Sequence, residues 1–409
     1  MTPGSAASSP AVRRLSPRAR VAGVLLALGA VAFVLGRGGS RESAAPSGIQ
    51  SPLGAPEGAG WTEAVPHFAH GWVSPPAHTP SAHGSSLCAL PSGDLLAIWY
   101  GGSREGGTDV ALYTSRLPAS GGDWTPPRME MDRVMAQQEL DRVIKKVGNA
   151  VVFPDPRGLL WMVYVSVSVG GWSGSALNVR TSPDEGRTWS PSERLTLNPF
   201  LNLSTLVRNK PIFARDGRIG LPVYHEMAAK FPQILWLTPG VDGRLADYRV
   251  RNLPGQAGLI QPALVPLDEN RVLMLLRDRS ADRLMHLSLS QDAGWTWSAA
   301  RHTDLPNPDA AVDGLRLRDG RILIVYNHAS RGRENLRLAV SSDQGRSWRS
   351  GAVIEETPRA EYSYPTLAED RQGRIHLTYT WRRERIRHVS FNVAWLDQRP
   401  LAQDGRGLP

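Results

Sequence analysis

Three octapeptides decide how this chain is read: "SPDEGRTW" at 182–189, "SQDAGWTW" at 290–297 and "SSDQGRSW" at 341–348. All fit the pattern S-x-D-x-G-x-[TS]-W. In each, Asp-x-Gly supplies a tight turn, the Ser, Thr and Asp side chains bond nearby backbone, and the Trp plugs the underside of a hairpin. Each octapeptide closely follows or overlaps the end of a short alternating strand, and six such strands occur: "VALYTS", "LNVRTS", "ILWLTP", "MHLSLS", "LRLAVS" and "IRHVSF". They begin at 110, 177, 234, 285, 336 and 386, with separations of 67, 57, 51, 51 and 50 residues. A second series precedes them: "DLLAIWY", "GLLWMVY", "RIGLPVY", "RVLMLLR", "RILIVYN" and "RIHLTYT". A β-hairpin therefore recurs six times. A period near 50 residues with several strands per unit predicts sheets arranged radially as blades. The expected fold is all-β, a six-bladed β-propeller. One helix is expected, over "MDRVMAQQELDRVIKKV" at 131–147, as an insertion after the first blade.

The ends of the chain read differently. Residues 21–36, "VAGVLLALGAVAFVLG", are apolar and uncharged and follow Arg13, Arg14, Arg18 and Arg20. They predict a signal-anchor helix or a signal peptide, with the basic N-terminal segment 1–20 kept cytoplasmic and the rest exported. "GRGGSRE" supplies no small-residue cleavage site, which favours an uncleaved anchor in the inner membrane. Residues 37–64, rich in Gly, Ser, Ala and Pro, predict a flexible linker. The propeller is expected over 65–397 and a tail over 398–409.

Formal net charge is +9, and only four of the 47 basic residues are lysines. Arginine suits bidentate recognition of carboxylates, so an anionic ligand is favoured. There is no dense basic run with interleaved aromatics, so nucleic acid is not indicated. Cys88 is the only cysteine, which excludes an internal disulfide and a cysteine-based metal site. "HEM" at 225–227 lacks the second histidine of a metal motif, and neither a catalytic metal nor a cofactor is expected.

On these repeats the chain resembles the sialidase (neuraminidase) superfamily, whose six-bladed propellers carry such "Asp boxes", and more closely its bacterial BNR-repeat members. The resemblance implies an exo-glycosidase releasing terminal sialic acid or a related acidic sugar from glycoconjugates. Such enzymes hold the substrate carboxylate with arginines, use an aspartate as acid/base and attack with a tyrosine. A phenol is not repelled by the substrate's own carboxylate, as a carboxylate nucleophile would be.

Carried onto this sequence, "SREGGTD" supplies Arg104 and, five residues on, Asp109 as the acid/base. "EYSYP" supplies Tyr362 as nucleophile, and Arg277 and Arg333 complete the carboxylate clamp. Two positions depart from the pattern: His83 stands where the first arginine is expected, and Gln261 where a glutamate would activate the tyrosine. His83, protonated, is one substitute cation, and Glu226 with His225 is one substitute base. Arg208 is a spare carboxylate ligand, and Trp172 in "SVSVGGWSGS" is a candidate sugar-stacking ring. These departures leave two alternatives open: a propeller acting on a different acidic sugar, such as an ulosonic acid or uronate, and a non-catalytic glycan-binding propeller.

Overall fold

Runs such as "LLAIWY" and "LLWMVY" are apolar without interruption, which predicts strands covered on both faces. The computed structural model describes residues 44–50, 65–399 and 402–403, except 77, 198–201, 228–229 and 280–281. The apolar segment 21–36 lies outside the described residues. β1 (Phe68–Trp72) comes first in the chain but belongs to the last sheet.

Blade 1 is β2 (Ser81–Ala89), β3 (Leu95–Gly102), β4 (Ala111–Leu117) and β5 (Arg128–Met131). Blade 2 is β6 (Lys146–Pro154), β7 (Leu160–Val167), β8 (Ser175–Ser182) and β9 (Glu193–Arg194). In blade 3 the innermost strand is split into β10 (Thr205–Val207) and β11 (Ile212–Phe213), followed by β12 (Ile219–His225), β13 (Phe231–Pro239) and β14 (Leu245–Asn252). Blade 4 is β15 (Leu259–Pro266), β16 (Val272–Asp278), β17 (Leu284–Ser290) and β18 (Arg301–Pro306). Blade 5 is β19 (Asp313–Arg316), β20 (Ile322–Tyr326), β21 (Asn335–Ser341) and β22 (Arg349–Glu356). Blade 6 is β23 (Tyr362–Glu369), β24 (Ile375–Trp381) and β25 (Arg385–Phe391), completed by β1 as its outer strand.

The innermost strands touch their neighbours in cyclic order and close the ring by contact between β2 and β23. All eight residues of β3 and of β7 are buried, because each sheet is sandwiched between two others. Trp99 and Trp161 are fully buried in these layers, each large side chain contributing roughly 1.5–3 kcal/mol by removal from water. β1 pairs antiparallel with β25, Phe68 opposite Phe391 through Trp72 opposite Arg387, so the ring is sealed by strands from both ends of the described chain.

The three octapeptides share one geometry. Ser182 Oγ donates to Asp184 Oδ1 at 2.8 Å, Gly186 N donates to Ser182 Oγ at 2.7 Å, and Thr188 donates to Asp184 through both N and Oγ1. The sets around Ser290 and Asp292, and around Ser341 and Asp343, repeat it. Glu185, Ala293 and Gln344 each take positive φ, as do the glycines after them.

The helix expected at 131–147 is shorter, α1 (Arg133–Leu140), capped by Asp132 accepting from Met135 N at 2.7 Å. Asp141 takes the left-handed conformation and stops it. The next residues, from Lys146, are needed as the inner strand β6, and tertiary pairing with β7 overrides their helical pattern. Within the stretch expected to be a tether, Ile49 is buried and bridges to Ala214, with Ile49 N donating to Glu269 O. In the expected tail, β26 (Ala402–Gln403) pairs with β22, and just before it α2 (Val393–Asp397) is capped by Asn392.

Candidate functional site

The innermost strands of four blades carry a β-bulge near their first residues. The register slips at His83/Ser86 in β2, Gly148/Ala150 in β6, Ile260/Ala263 in β15 and Ser363/Thr366 in β23. At each slip one residue has positive φ: Gly84 (65°), Asn149 (29°), Gln261 (53°) and Tyr364 (53°). For glutamine and tyrosine this conformation is strained, and such outliers persist where the surrounding structure enforces them. A bulge also re-aims side chains, because it breaks the two-residue alternation of a strand.

That re-aiming overturns the choice of Tyr362. Before the bulge Tyr362 is an ordinary strand residue, 1% exposed, packed in the apolar core of blades 5 and 6 beside Tyr379. Tyr364 sits on the bulge itself and enters a polar cluster. The ring of His83 meets it edge-on at 4.6 Å, and the guanidinium carbons of Arg208 and Arg333 lie 5.2 and 5.7 Å from its centre. Side chains from blades 1, 3 and 5 thus converge on one phenol of blade 6.

His83 is 1% exposed and neither ring nitrogen has a hydrogen-bond partner. Burial first, and then Arg383, Arg333 and Arg208, hold its pKa well below the usual histidine value. These surroundings disfavour the protonated form that binding a carboxylate through His83 would need. Glu105 Oε2 stands 3.8 Å from His83 Nε2. Gln261 cannot take a proton and acts as a brace, donating from Nε2 to Tyr224 Oη at 3.2 Å and accepting at Oε1 from Arg277 Nη1 at 3.0 Å. Arg208 is buried and donates to the carbonyls of Ser85 and Pro365, so it ties blade 3 to blades 1 and 6 across the axis.

The fold fits a known family. The BNR repeat-like domain model matches residues 93–377. The chain belongs to the BNR repeat-like domain family. Among solved structures, the Hadza microbial sialidase Hz136 is similar at 17% identity and a TM-score of 0.67, over 80% of this chain and 69% of that one. The intramolecular trans-sialidase from Ruminococcus gnavus is similar at 15% identity, TM-score 0.61, over 79% of this chain and 97% of that one. The Penicillium chrysogenum alpha-L-arabinanase complexed with arabinobiose is similar at 14% identity, TM-score 0.56, over 80% and 98%. No protein of curated description matches at the sequence level.

In this BNR repeat-like protein the loop "SREGGTD" between β3 and β4 presents both of its expected residues to solvent. Arg104 and Asp109 are exposed, and the Asp109 carboxylate folds back onto Ser103, accepting from its amide at 2.7 Å and its hydroxyl at 2.9 Å. Those bonds lower its pKa. Glu105, passed over in the sequence, points inward instead, contacting Tyr100 Oη and pairing with Arg383. Arg383 also binds Glu361 through Nε at 2.6 Å, and Glu361 pairs with Arg333. Arg383 lies in the β24–β25 turn, the same class of loop as those bearing Arg104 and Arg333; that loop class was the signal that would have found it.

The remaining expected residues fall as follows. Arg277 is the next-to-last residue of β16 and is buried beside Gln261 and Asp309. Glu226 sits at the rim with Lys230 Nζ 3.6 Å away, and His225 stacks on Phe231. Trp172 packs over Gly148, where an added Cβ would meet its ring at 2.4 Å, and Lys146 Nζ covers it at 4.0 Å. Its ring is half-buried, packed against blades 2 and 3.

Proposed function

We propose that the chain is an exo-glycosidase of sialidase type, hydrolysing the bond to a terminal acidic sugar. The observation that carries the reading is Tyr364, a tyrosine on a strained bulge, faced by arginines from two other blades and by a buried histidine with both nitrogens unsatisfied. Tyr364 Oη attacks the anomeric carbon as the glycosidic bond breaks. Asp109 gives a proton to the departing oxygen; the other carboxylates of the mouth, Glu105, Glu226, Asp309 and Glu361, are each paired with a cation, whereas Asp109 is held by Ser103. To give a proton, Asp109 must first leave Ser103, whose two bonds favour the ionised carboxylate. Tyr364 gives its phenol proton to solvent as it attacks: the burial and arginines that hold the His83 pKa low also oppose its taking that proton, and Gln261 has no capacity to accept it. Arg277 and Arg333 bind the acid group of the sugar. Water then displaces Tyr364, with Asp109 as base and the released phenolate taking a proton back from solvent.

An N-terminal anchor over 21–36 would hold this propeller on the outer side of the membrane, within reach of glycoconjugates. Incubating the full chain with fluorogenic glycosides of N-acetylneuraminate, glucuronate and arabinose tests the assignment. Release from the sialoside is expected. Release from the glucuronide alone would select a different acidic sugar, and tight glycan binding without any release would make the propeller a lectin-like module.

A further inference from the structure

Arg277 and Arg333 are not waiting empty for a ligand. Asp309, in the connection from β18 to β19, already occupies them: its Oδ1 accepts from Arg277 Nε at 2.6 Å and its Oδ2 lies 3.1 Å from Arg279 Nε. Its backbone carbonyl accepts from Arg333 Nη2 at 2.8 Å. A single residue thus engages three guanidinium groups, spending donors that a sugar carboxylate would use.

The loop is built to hold it there. Asp309 has φ of 62°, a strained value for a residue with a side chain. Asn307, fully buried, fixes the turn by donating from Nδ2 to Ala310 O at 3.0 Å and accepting at Oδ1 from Ala310 N at 2.8 Å. Arg277 is itself buried, so its charge needs a permanent partner. An acid group arriving from solvent meets both a reduced set of donors and a like charge, which opposes its binding.

We infer that Asp309 is the specificity-determining residue of the clamp: its carboxylate stands in the acid-binding position, and an acidic sugar binds only in competition with it. This rests on the sialidase-type reading of the same site. It predicts a wild-type protein that prefers the acid form of a sugar only weakly over its neutral ester.

The test is calorimetric titration of the full chain with N-acetylneuraminate and with its methyl ester, for wild type, Asp309→Asn and Asp309→Ala. Asp309→Asn keeps the shape and the acceptor of the loop while removing the charge, so it remains informative where Asp309→Ala fails to fold. The acid is expected to bind Asp309→Asn about tenfold or more tighter than wild type, with the ester unchanged and a steeper loss of affinity with added salt. Acid affinity that stays level, falls or is undetectable in Asp309→Asn overturns the inference, as does an equal gain for acid and ester. Turnover of the fluorogenic sialoside is scored separately. Its absence in every variant removes the hydrolase reading and leaves the acid-to-ester ratio to judge Asp309.

Discussion

Tyr362 and Tyr364 are two residues apart and, in an unbroken strand, would face the same way. The bulge separates them, sending one into the core between blades 5 and 6 and the other to the axis. Their phenylalanine variants therefore behave oppositely. Tyr364→Phe is expected to lower kcat on a sialoside by at least ~10³-fold with an unchanged melting temperature. Tyr362→Phe is expected to keep kcat within about twofold; steady-state kinetics on both variants decides between them. Neither position in "EYSYP" announces which tyrosine is bulged, although the proline following Tyr364 is a cue shared with Gln261, which is also bulged and also precedes proline. Proline at i+1 cannot donate to a ladder, and a bulge tolerates that loss.

At the scale of elements, the octapeptides lie at the C-terminal ends of β8, β17 and β21, whereas the bulges lie near the N-terminal ends of the inner strands. First and third strands of a blade run the same way, so the octapeptides and the tyrosine occupy opposite ends of the propeller. Their role is then mechanical. Ser290→Ala or Asp292→Ala removes bonds that satisfy a tight turn, and each is expected to destabilise by about 1–2 kcal/mol, lowering the melting temperature by a few degrees with KM unchanged. A shifted KM in either variant would contradict this separation. Hairpins and turns were legible in the sequence because their signals are local: alternation, apolar runs and Asp-x-Gly. The innermost strands were harder to delimit, since splits and bulges interrupt their periodicity, and these strands supply His83, Gln261 and Tyr364, with Arg208 in the split between β10 and β11.

For the whole molecule, closure is the dominant constraint. A chain beginning at residue 74 lacks β1 and the buried Val73, leaving the edge of β25 unpaired. Its melting temperature is expected to fall by more than ~5 °C relative to a chain beginning at residue 44, measured by thermal unfolding. At the end opposite the tyrosine, the axial channel widens into a mostly apolar cavity of about 210 Å³ whose wall includes Glu369. Burial, only partly offset by Arg318, raises the Glu369 pKa to about 7. The folded state therefore holds a proton between the ordinary carboxylate range and pH 7 that the unfolded state has lost. Stability from this group is present at low pH and declines as pH rises through that window. Glu369→Gln is expected to flatten the decline, seen as a melting temperature nearly level from pH 5 to 7.5; an unchanged slope would contradict it.

The sequence by itself determined the repeat, the six hairpins, the turn chemistry of the octapeptides and the arginine bias of the site, because each of these is written in neighbouring residues. Tertiary structure alone decided which tyrosine faces the axis, that His83 is buried among arginines, that Glu105 rather than Arg104 turns inward, and that Asp309 contacts Arg277, Arg279 and Arg333. Those outcomes depend on register slips and on side chains brought together from different blades, up to nearly 300 residues apart in the case of Glu105 and Arg383. Local pattern cannot fix a direction that is set by a partner strand, nor a charge state that is set by burial among distant arginines.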